Sequence, residues 1–347
     1  MVHGIGTPYA GNPPVRFDEG DVVLAVTPRR GSLHKELKMA IGVSEEDKEN
    51  GSAWQHSCFV AYLDILGFKD IVKRNSFEQL KRIVDDFTIG FARAVDESRS
   101  IKTNTGRITS RIKLRGGIKV RIVSDSIYVW TENDDRLKQF DDLLHVVNAM
   151  IAGGFEHGLP LRGVVTYGEL FSGEVKMPDD IPFDFSFTHS SAVYGRALVE
   201  AYELEGKMDW SGAILTPKAW EKVVGEFERY KGAGRTMRSC SVKCAEDLFN
   251  HYPYFVWYDV PFKGGKRKAI AFNWNYRSGH VFSAGKIHQA FTGGRCEGLD
   301  DIVKTKSNET VRFYEYTQQA AELCESGSVK KLPVPDLTYK STDLQNN

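Results

Sequence analysis

The stretch 61–72 reads AYLDILGFKDIV, and it contains one residue that does not match its surroundings. Five of its first six residues are apolar or aromatic, which is typical of a buried strand, yet Asp64 lies among them. The glycine at position 67 predicts that the chain turns there. An ionised carboxylate that is removed from water costs several kcal/mol unless a partner offsets the cost. The pattern therefore predicts a strand over 58–66 whose acid has a specific partner elsewhere in the chain.

The bulk composition is that of an ordinary globular protein. The chain has 347 residues, 41% of them hydrophobic, and a formal net charge of zero. Electrical neutrality argues against a nucleic-acid binder that neutralises phosphates over a broad face. No apolar run approaches the length of a membrane span, and no signal-peptide pattern is present, so a cytoplasmic location is predicted. The five cysteines and nine histidines show no zinc-type spacing, so ordinary reduced thiols are expected.

Hydrophobic periodicity predicts the regular structure downstream of residue 58. Apolar residues recur every three or four positions over 77–95 and over 135–155, which indicates two amphipathic helices. The stretch 118–130, IKVRIVSDSIYVW, indicates two strands joined by a tight turn at the Ser-Asp-Ser sequence 124–126. The remaining predicted elements are a strand over 159–171, a helix after Gly195, a strand and helix over 213–223, a hairpin over 252–275 and a helix over 308–325.

Strands and helices alternate irregularly, with hairpins interposed. This order predicts an α+β fold with a largely antiparallel sheet and not a doubly wound parallel one. Residues 1–55 mix glycine, proline and charge around one strand-like run (22–26) and one helix-like run (33–41), so they are predicted to be an N-terminal extension. Residues 56–290 are predicted to form the main domain with a late hairpin, followed by a C-terminal helix and polar tail over 291–347.

A second acid, Asp125, lies between strand-forming residues at the tip of the predicted hairpin. Two acids that each end an apolar strand suggest that both contact one shared ligand. Two adjacent carboxylates without a cation repel each other, and one of them is then protonated. A divalent metal neutralises such a pair and keeps both groups charged. Two such metals can bind a triphosphate and stabilise the attacking and leaving oxygens of an in-line displacement.

At these residues the sequence resembles the class III nucleotidyl cyclases, whose fold is a ferredoxin-like or palm-type antiparallel sheet with packed helices. Their first strand ends in an Asp-Ile-x-Gly-Phe turn, which is matched by DILGF at 64–68. Their second metal aspartate lies in a hairpin, as in VRIVSDSIYVW, and the later stretches LRGVVTYGEL and VYGRALVEAYELE also match. The resemblance covers about 58–225. The stretch YDVPFKGG resembles the prokaryotic pyrimidine cyclases of antiphage signalling systems.

The resemblance implies a metal site, a phosphate site and an assembly. Asp64, the carbonyl of Ile65 and Asp125 would bind two Mg²⁺ or Mn²⁺ ions. The 3′-oxygen of a nucleoside triphosphate would then attack the α-phosphorus and expel pyrophosphate. Family members build each site between two protomers, so a homodimer is implied. The backbone amides that would hold the β- and γ-phosphates are those of Gly67, Phe68 and Lys69.

The sequence departs from the purine cyclases of this family at several positions. The Asn and Arg of their helix after the glycine fall here on Val199 and Glu203, neither of which can donate a hydrogen bond to phosphate. Arg196 or Lys263 is a candidate replacement cation. The lysine that reads adenine falls on Arg121, and its aspartate partner falls on Ala192. The residues that recognise adenine are therefore absent, while both metal-binding acids are retained. This combination favours an enzyme with a different base specificity over a catalytically inactive protein.

Two residues are candidates for the contact with the base. Tyr62 shares a face with Asp64 by strand alternation, so its ring could narrow the pocket to the size of a pyrimidine. Arg121 carries only hydrogen-bond donors, which suit the C4 carbonyl of uracil and oppose the C4 amino group of cytosine. UTP is therefore favoured over CTP as the substrate, and cyclic UMP over cyclic CMP as the product.

Two other functions remain open at this stage. One is a catalytically inactive, cyclase-like dimer that senses nucleotides, as the missing Asn and Arg would allow. The other is a purine or diguanylate cyclase, although no Gly-Gly-[Asp/Glu]-Glu-Phe turn occurs in the sequence. The effector that responds to the product is expected to be a separate protein. The activating trigger would act on 1–55, on the 226–250 loop or on the C-terminal segment.

Overall fold

β1 (Ala53–Ile65) runs through the interior of the sheet and carries the acid singled out above. The computed structural model describes residues 53–98, 100–102, 108–111, 118–132, 137–175, 190–232, 255–275, 282–292 and 300–325. The strand-like run 22–26 and the helix-like run 33–41 lie outside the described residues. So do most of the 226–250 loop and the polar tail.

The chain divides into two compact units. One comprises Met1–Trp54 and Ser172–Val193, and the other comprises Gln55–Phe171 and Tyr194–Asn347. Of the first unit, the described residues belong to the start of β1, the end of β6 (Leu161–Val175) and β7 (Ser190–Tyr194), which pairs with β6. The second unit contains the candidate site. The division into 1–55, 56–290 and 291–347 stays a prediction.

The described residues form an eight-stranded sheet. Besides β1, β6 and β7, its strands are β4 (Ile118–Val123), β5 (Ser126–Thr131), β8 (Gly212–Leu215), β9 (Phe255–Phe262) and β10 (Gly265–Phe272). Seven of the strands follow the order β4-β5-β1-β6-β8-β10-β9. The pairs β1–β5, β4–β5, β8–β10 and β9–β10 are antiparallel, while β6 and β8 are parallel. The α+β class with an antiparallel-dominated sheet is therefore confirmed. A separate pair is formed by β2 (Ser100–Lys102) and β3 (Ile108–Arg111).

Seven helices occur within the described ranges. Four predicted helices are present: α2 (Phe77–Ser98), α3 (Leu137–Glu156), α4 (Arg196–Glu205) and α5 (Pro217–Gly232). The short α1 (Phe68–Arg74), directly after the predicted turn at Gly67, was not predicted. None of the seven helices is long and apolar enough to cross a membrane. Two further features were not predicted: α6 (Ala284–Thr292), and the early start of α7 (Asp301–Glu325). Asp300 caps α7 by accepting a hydrogen bond from the N–H of Ile302 at 3.1 Å.

Helices pack on both faces of the sheet around β1. On one face, Phe59 of β1 contacts Phe140 of α3, with ring centroids 4.6 Å apart. On the other face, Tyr62 contacts Tyr202 of α4 at 5.6 Å. Because successive residues of a strand point to opposite faces, Asp64 lies on the face of Tyr62. The first residue of α2 differs from the sequence prediction, since Phe77 is 77% exposed and does not join the core.

Candidate active site at the end of β1

The two acids singled out in the sequence meet at the end of the β1–β5 ladder. Asp64 is paired in register with Ser126, the first residue of β5, and the neighbouring Ile65 N–H donates a hydrogen bond to the Asp125 carbonyl at 2.9 Å. Asp125 itself lies in the two-residue turn between β4 and β5. Ser124, the other turn residue, has φ 56, a left-handed value that only a minority of residues other than glycine adopt. The tight turn thus holds the second acid beside the first.

The partner of Asp64 is Arg162 of β6. Its Nη2 lies 3.9 Å from Asp64 Oδ2, which makes an ion pair too long to be a hydrogen bond. Its Nε donates to the Glu205 carboxylate at the end of α4, and its Nη1 donates to the Met208 carbonyl at 2.6 Å. The side chains of Arg162 and Glu205 are almost fully buried. The guanidinium therefore bridges the two acids in the interior.

One arginine does not neutralise all the nearby acids. Burial raises the pKa of Asp64 to about 7, and the charges of Glu205 and Asp125 add to the rise, while Arg162 and Lys306 oppose it. Burial also raises the pKa of Glu205, against the effect of its ion pair with Arg162. An added cation would restore the charged form of Asp64. The electrostatics of the site thus favour a cation beside the acid pair.

The residues that surround Asp64 fit a hard divalent cation. Two carboxylates and the Ile65 carbonyl supply oxygen ligands, and Mg²⁺ commonly binds through one or two carboxylates together with water and substrate phosphates. Among the described residues, no group of three or more His, Cys, Asp or Glu side chains is arranged to hold a metal ion by itself. The two carboxylates and the Ile65 carbonyl are therefore the oxygen ligands that this part of the chain could supply to such a cation.

The predicted phosphate-binding turn follows β1 directly. Gly67 has φ 75, a left-handed conformation that glycine adopts without steric cost, and α1 begins at the next residue. Its carbonyl accepts hydrogen bonds from the N–H groups of Asp70 and Ile71. The N–H groups of Phe68 and Lys69 lie in the first turn of α1, where a helix provides no internal acceptor. Their role in binding phosphate stays a prediction.

The two predicted base-contacting residues lie in one row across three strands. Tyr62 of β1 is opposite Tyr128 of β5, which is opposite Arg121 of β4. The Tyr62 hydroxyl is 3.0 Å from Ser126 Oγ, and its ring lies 5.6 Å from that of Tyr128. Tyr62 is only 3% exposed, whereas Tyr128 and Arg121 are half-buried. Burial raises the pKa of Tyr128, and its hydrogen bond to Ser126 and the charge of Arg121 oppose the rise.

The two candidate replacement cations, Arg196 and Lys263, have different surroundings. Arg196, at the start of α4, is largely exposed and forms an ion pair with Glu169 at 3.7 Å. Lys263 lies in the β9–β10 turn, and its N–H donates to the Lys207 carbonyl at 2.7 Å. The charge of Lys263 acts on Glu205. Of the two, Lys263 is therefore the one whose charge acts on the buried Arg162–Glu205 pair.

Val199 and Glu203, the departures from the purine cyclases, are both exposed on α4. That these positions leave the site without the donors of the purine cyclases stays a prediction.

Sequence reasoning missed three charged residues of the site: Arg162, Glu205 and Lys306. Arg162 carried a usable signal, because an arginine inside the apolar strand LPLRGVVTYGELF is as unusual as an aspartate inside β1. Glu205 ends an amphipathic helix, where a glutamate is ordinary. Lys306 lies in a polar run that was not assigned to a helix, so no local pattern distinguished it.

Comparisons with known proteins give a likeness in fold. No protein-family model matches the chain, and no curated protein matches it significantly. Similar solved structures include the adenylyl cyclase CyaB from P. aeruginosa (13% identity, TM-score 0.36, 63% of this chain and 94% of that one) and the guanylate cyclase domain of RhGC from Catenaria anguillulae in complex with GTP (12%, 0.36, 63% and 98%). The guanylyl cyclase Cya2 is another (12%, 0.35, 50% and 80%). Identities and TM-scores this low do not establish family membership.

Proposed function

We propose that the protein is a metal-dependent pyrimidine nucleotide cyclase that converts UTP, and less readily CTP, to the 3′,5′-cyclic nucleotide and pyrophosphate. The observation that carries the proposal is the meeting of Asp64 and Asp125 at the end of β1. A buried acid beside a second acid destabilises the fold, and acids with such raised pKa values are concentrated at functional sites. In the proposed biological role, the cyclic nucleotide is a second messenger of antiphage defence that is read by a separate effector protein.

The chemistry divides between the bound metal and the protein. Two Mg²⁺ or Mn²⁺ ions held by Asp64, Ile65 O and Asp125 would supply Lewis-acid stabilisation of the attacking 3′-oxygen and of the leaving pyrophosphate. The 3′-hydroxyl gives its proton to solvent water, its oxygen bonds to the α-phosphorus, and the bond from that phosphorus to the bridging oxygen of the β-phosphate breaks, so that pyrophosphate leaves with the electron pair of that bond. The N–H groups of Gly67, Phe68 and Lys69 hold the β- and γ-phosphates. Arg162 keeps the Asp64 carboxylate in place.

The replacement for the missing arginine of the purine cyclases is proposed to be Lys263. Arg196 is largely exposed and forms an ion pair with Glu169, whereas the charge of Lys263 acts on the buried Glu205. The hydrogen bond from the Lys263 N–H to the Lys207 carbonyl fixes the backbone of this turn.

The primary test is a product assay. Purified protein is incubated with each of the four nucleoside triphosphates and Mn²⁺, and the products are identified by mass. We expect cyclic UMP with equimolar pyrophosphate. Binding of nucleotides without any product would favour the inactive sensor instead. A cyclic purine or a dinucleotide product would favour the purine or diguanylate cyclase.

The base preference gives a further prediction. Arg121 directed at the uracil C4 carbonyl would leave the cytosine amino group as a buried unpaired donor, at a cost of about 1–3 kcal/mol, or roughly 5- to 150-fold in kcat/KM. We therefore expect wild type to prefer UTP over CTP by such a factor and Arg121→Met to lose most of the preference. Steady-state kinetics with UTP and with CTP measure the ratio of the two kcat/KM values in each variant.

The matched control for this experiment is Lys119→Met. Lys119 precedes Arg121 by two residues on the same face of β4, is half-exposed and forms an ion pair with Glu132 at 3.0 Å. Its removal should leave the ratio of the two kcat/KM values unchanged. A clear preference of the wild type for CTP would show that Arg121 points elsewhere.

The assembly gives another prediction. Because the proposed site is composite, with metal acids from one protomer and the base contact from the other, an equal mixture of Asp64→Ala and Arg121→Ala chains should recover up to about a quarter of the wild-type activity through mixed dimers. Each mixed dimer contains one intact site. Activity as a function of mixing ratio, together with sedimentation, measures the effect.

The control mixture combines Asp64→Ala with Asp125→Ala. Both residues lie in the same half-site, so no mixed dimer regains an intact metal site and no activity should return. A wild-type monomer that turns over UTP at the full rate would refute the composite site.

A further inference from the structure

Side chains of α7 form hydrogen bonds with residues on and beside the central sheet. The Ser211 N–H donates to Thr310 Oγ1 at 2.9 Å, and the Ser211 hydroxyl donates to the Leu161 carbonyl, one residue before Arg162, at 2.6 Å. Further along α7, the Tyr316 hydroxyl donates to the Trp257 carbonyl of β9 at 3.0 Å. Ser211 therefore links α7 to β6, since its N–H bonds to Thr310 and its hydroxyl bonds to Leu161.

Lys306 lies one helical turn before Thr310, on the same side of α7. The Thr310 hydroxyl donates to the Lys306 carbonyl at 2.7 Å, as expected for residues four apart in a helix. Lys306 is half-buried, and its charge reaches Asp64 and Glu205. A residue of α7 is thus brought within electrostatic reach of Asp64 and Glu205.

The Lys306 ammonium has no bonding partner within the described part of the chain. No acceptor lies within hydrogen-bond or ion-pair distance of it there, although Asp209 and Glu205 act on it from farther away. Glu205 is already bound by Arg162, whose Nε and Nη1 both donate to protein oxygens. The Lys306 ammonium therefore offers free donors at this point of the site, beside the Arg162 Nη2, whose 3.9 Å contact with Asp64 is too long to be a hydrogen bond.

Both cations and acids act on Lys306. Burial and the repulsion by Arg162 and Lys263 lower the pKa of Lys306, and the charges of Asp209 and Glu205 oppose the lowering. Three positive groups, from β6, the β9–β10 turn and α7, act on Glu205. Because Glu205 is already bound by Arg162, the half-buried Lys306 ammonium is left without a bonded acceptor, which an anion would supply. A polyphosphate has the required charge and oxygen acceptors.

We propose that Lys306 binds the β- and γ-phosphates of the nucleotide substrate, and hence the pyrophosphate product, as an active-site residue supplied by α7. The inference rests on the proposed function for the identity of the anion. It goes beyond that function because α7 lies outside the 58–225 stretch that carries the resemblance to nucleotidyl cyclases.

The test measures the binding of magnesium pyrophosphate by calorimetry. A charged hydrogen bond to phosphate is lost in Lys306→Met, so its affinity should fall about 10- to 100-fold. Lys306→Arg keeps the charge and should stay within about threefold of wild type. The control is Lys304→Met on the same helix, which removes an exposed lysine that forms an ion pair with Asp301 at 3.1 Å, and its affinity should not change.

Thermal unfolding separates binding from a structural role. Removing an unpaired, half-buried ammonium beside Arg162 should leave the Tm of Lys306→Met equal to or above that of wild type, whereas a structural lysine would lower it. If Lys306→Met does not fold, Lys306→Gln carries the same expectation. Unchanged pyrophosphate affinity in these variants, an equal loss in Lys304→Met, or no binding by wild type at millimolar pyrophosphate would each overturn the proposal.

The product assay keeps this inference separate from the proposed function. Formation of cyclic UMP by a protein whose pyrophosphate affinity is independent of Lys306 would refute the role of this residue and leave the function standing. Pyrophosphate binding that depends on Lys306, in a protein that forms no cyclic nucleotide, would support the anion site and refute the cyclase.

Discussion

Replacement of Asp64 by asparagine is expected to abolish nucleotide cyclisation and, at the same time, to stabilise the metal-free protein. A bound metal contributes several kcal/mol to transition-state stabilisation, so the loss of one of its carboxylates should reduce kcat by roughly a thousandfold or more. Asp125→Asn should have a similar effect on kcat. Turnover of UTP under saturating Mn²⁺ measures both variants.

The stability effect of Asp64→Asn follows from the raised pKa of this acid. The pKa of Asp64 is raised from 3.8 to about 7 in the folded protein, so the folded state binds a proton that the unfolded state has lost between these values. The contribution of Asp64 to the free energy of unfolding is therefore fully present below pH 4 and is lost as the pH rises to about 7. At pH 8 the metal-free Asp64→Asn protein should be more stable than wild type, on the order of 4 kcal/mol.

Urea unfolding in the presence of a chelator measures this difference at several pH values. The two proteins should have nearly equal stabilities at pH 4 and should diverge up to pH 8. Retention of more than a few per cent of the wild-type kcat by either acid variant would contradict the metal assignment. A destabilised Asp64→Asn protein at pH 8 would contradict the electrostatic description of the site.

The second large effect is expected at Arg162. Replacing this buried residue by methionine leaves Glu205 without its ion-pair partner and Asp64 without its nearest cation, and breaking a buried pair typically costs about 3–5 kcal/mol. We expect a loss of that size in the free energy of unfolding at pH 8. Urea denaturation measures it.

A double variant and a surface control make this prediction specific. Adding Glu205→Gln to Arg162→Met removes the uncompensated charge, so the double variant should recover part of the loss. Lys218→Met breaks an ion pair with Glu200 at 3.3 Å in which both side chains are about half exposed, and it should cost less than about 1 kcal/mol. Equal losses at Arg162 and Lys218 would show that the Arg162 pair contributes no more than a surface contact.

Most of the sheet around the site was predictable from local patterns. The apolar run before Gly67, the hairpin over 118–130 and the helix over 135–155 each carry a periodicity that is read within one window of sequence, and all three were confirmed. The short α6 and the first turns of α7 were missed. Their apolar residues are few, and much of their stability comes from packing on elements that are distant in the sequence.

Asp64 was singled out because a charge in a buried strand is anomalous on its own, and the anomaly is visible without any knowledge of the fold. Asp125 lies in a turn, where aspartate is common, so it was singled out by its strand-forming neighbours and by the resemblance to a family motif. The argument used for Asp64, when applied to Arg162 in β6, would have identified the partner of this acid. Lys306 offered no such anomaly, because its neighbours in the sequence are polar.

The sequence by itself determined which segments form strands and helices and which two acids need compensation. Both depend on the chemistry of neighbouring residues, namely the period of apolar side chains and the cost of burying a charge. Only the tertiary structure decided that Arg162, Glu205 and Lys306 provide the charges around Asp64. These groups come from β6, α4 and α7, and electrostatic interactions depend on the distance in space to which packing brings them, which no local pattern encodes.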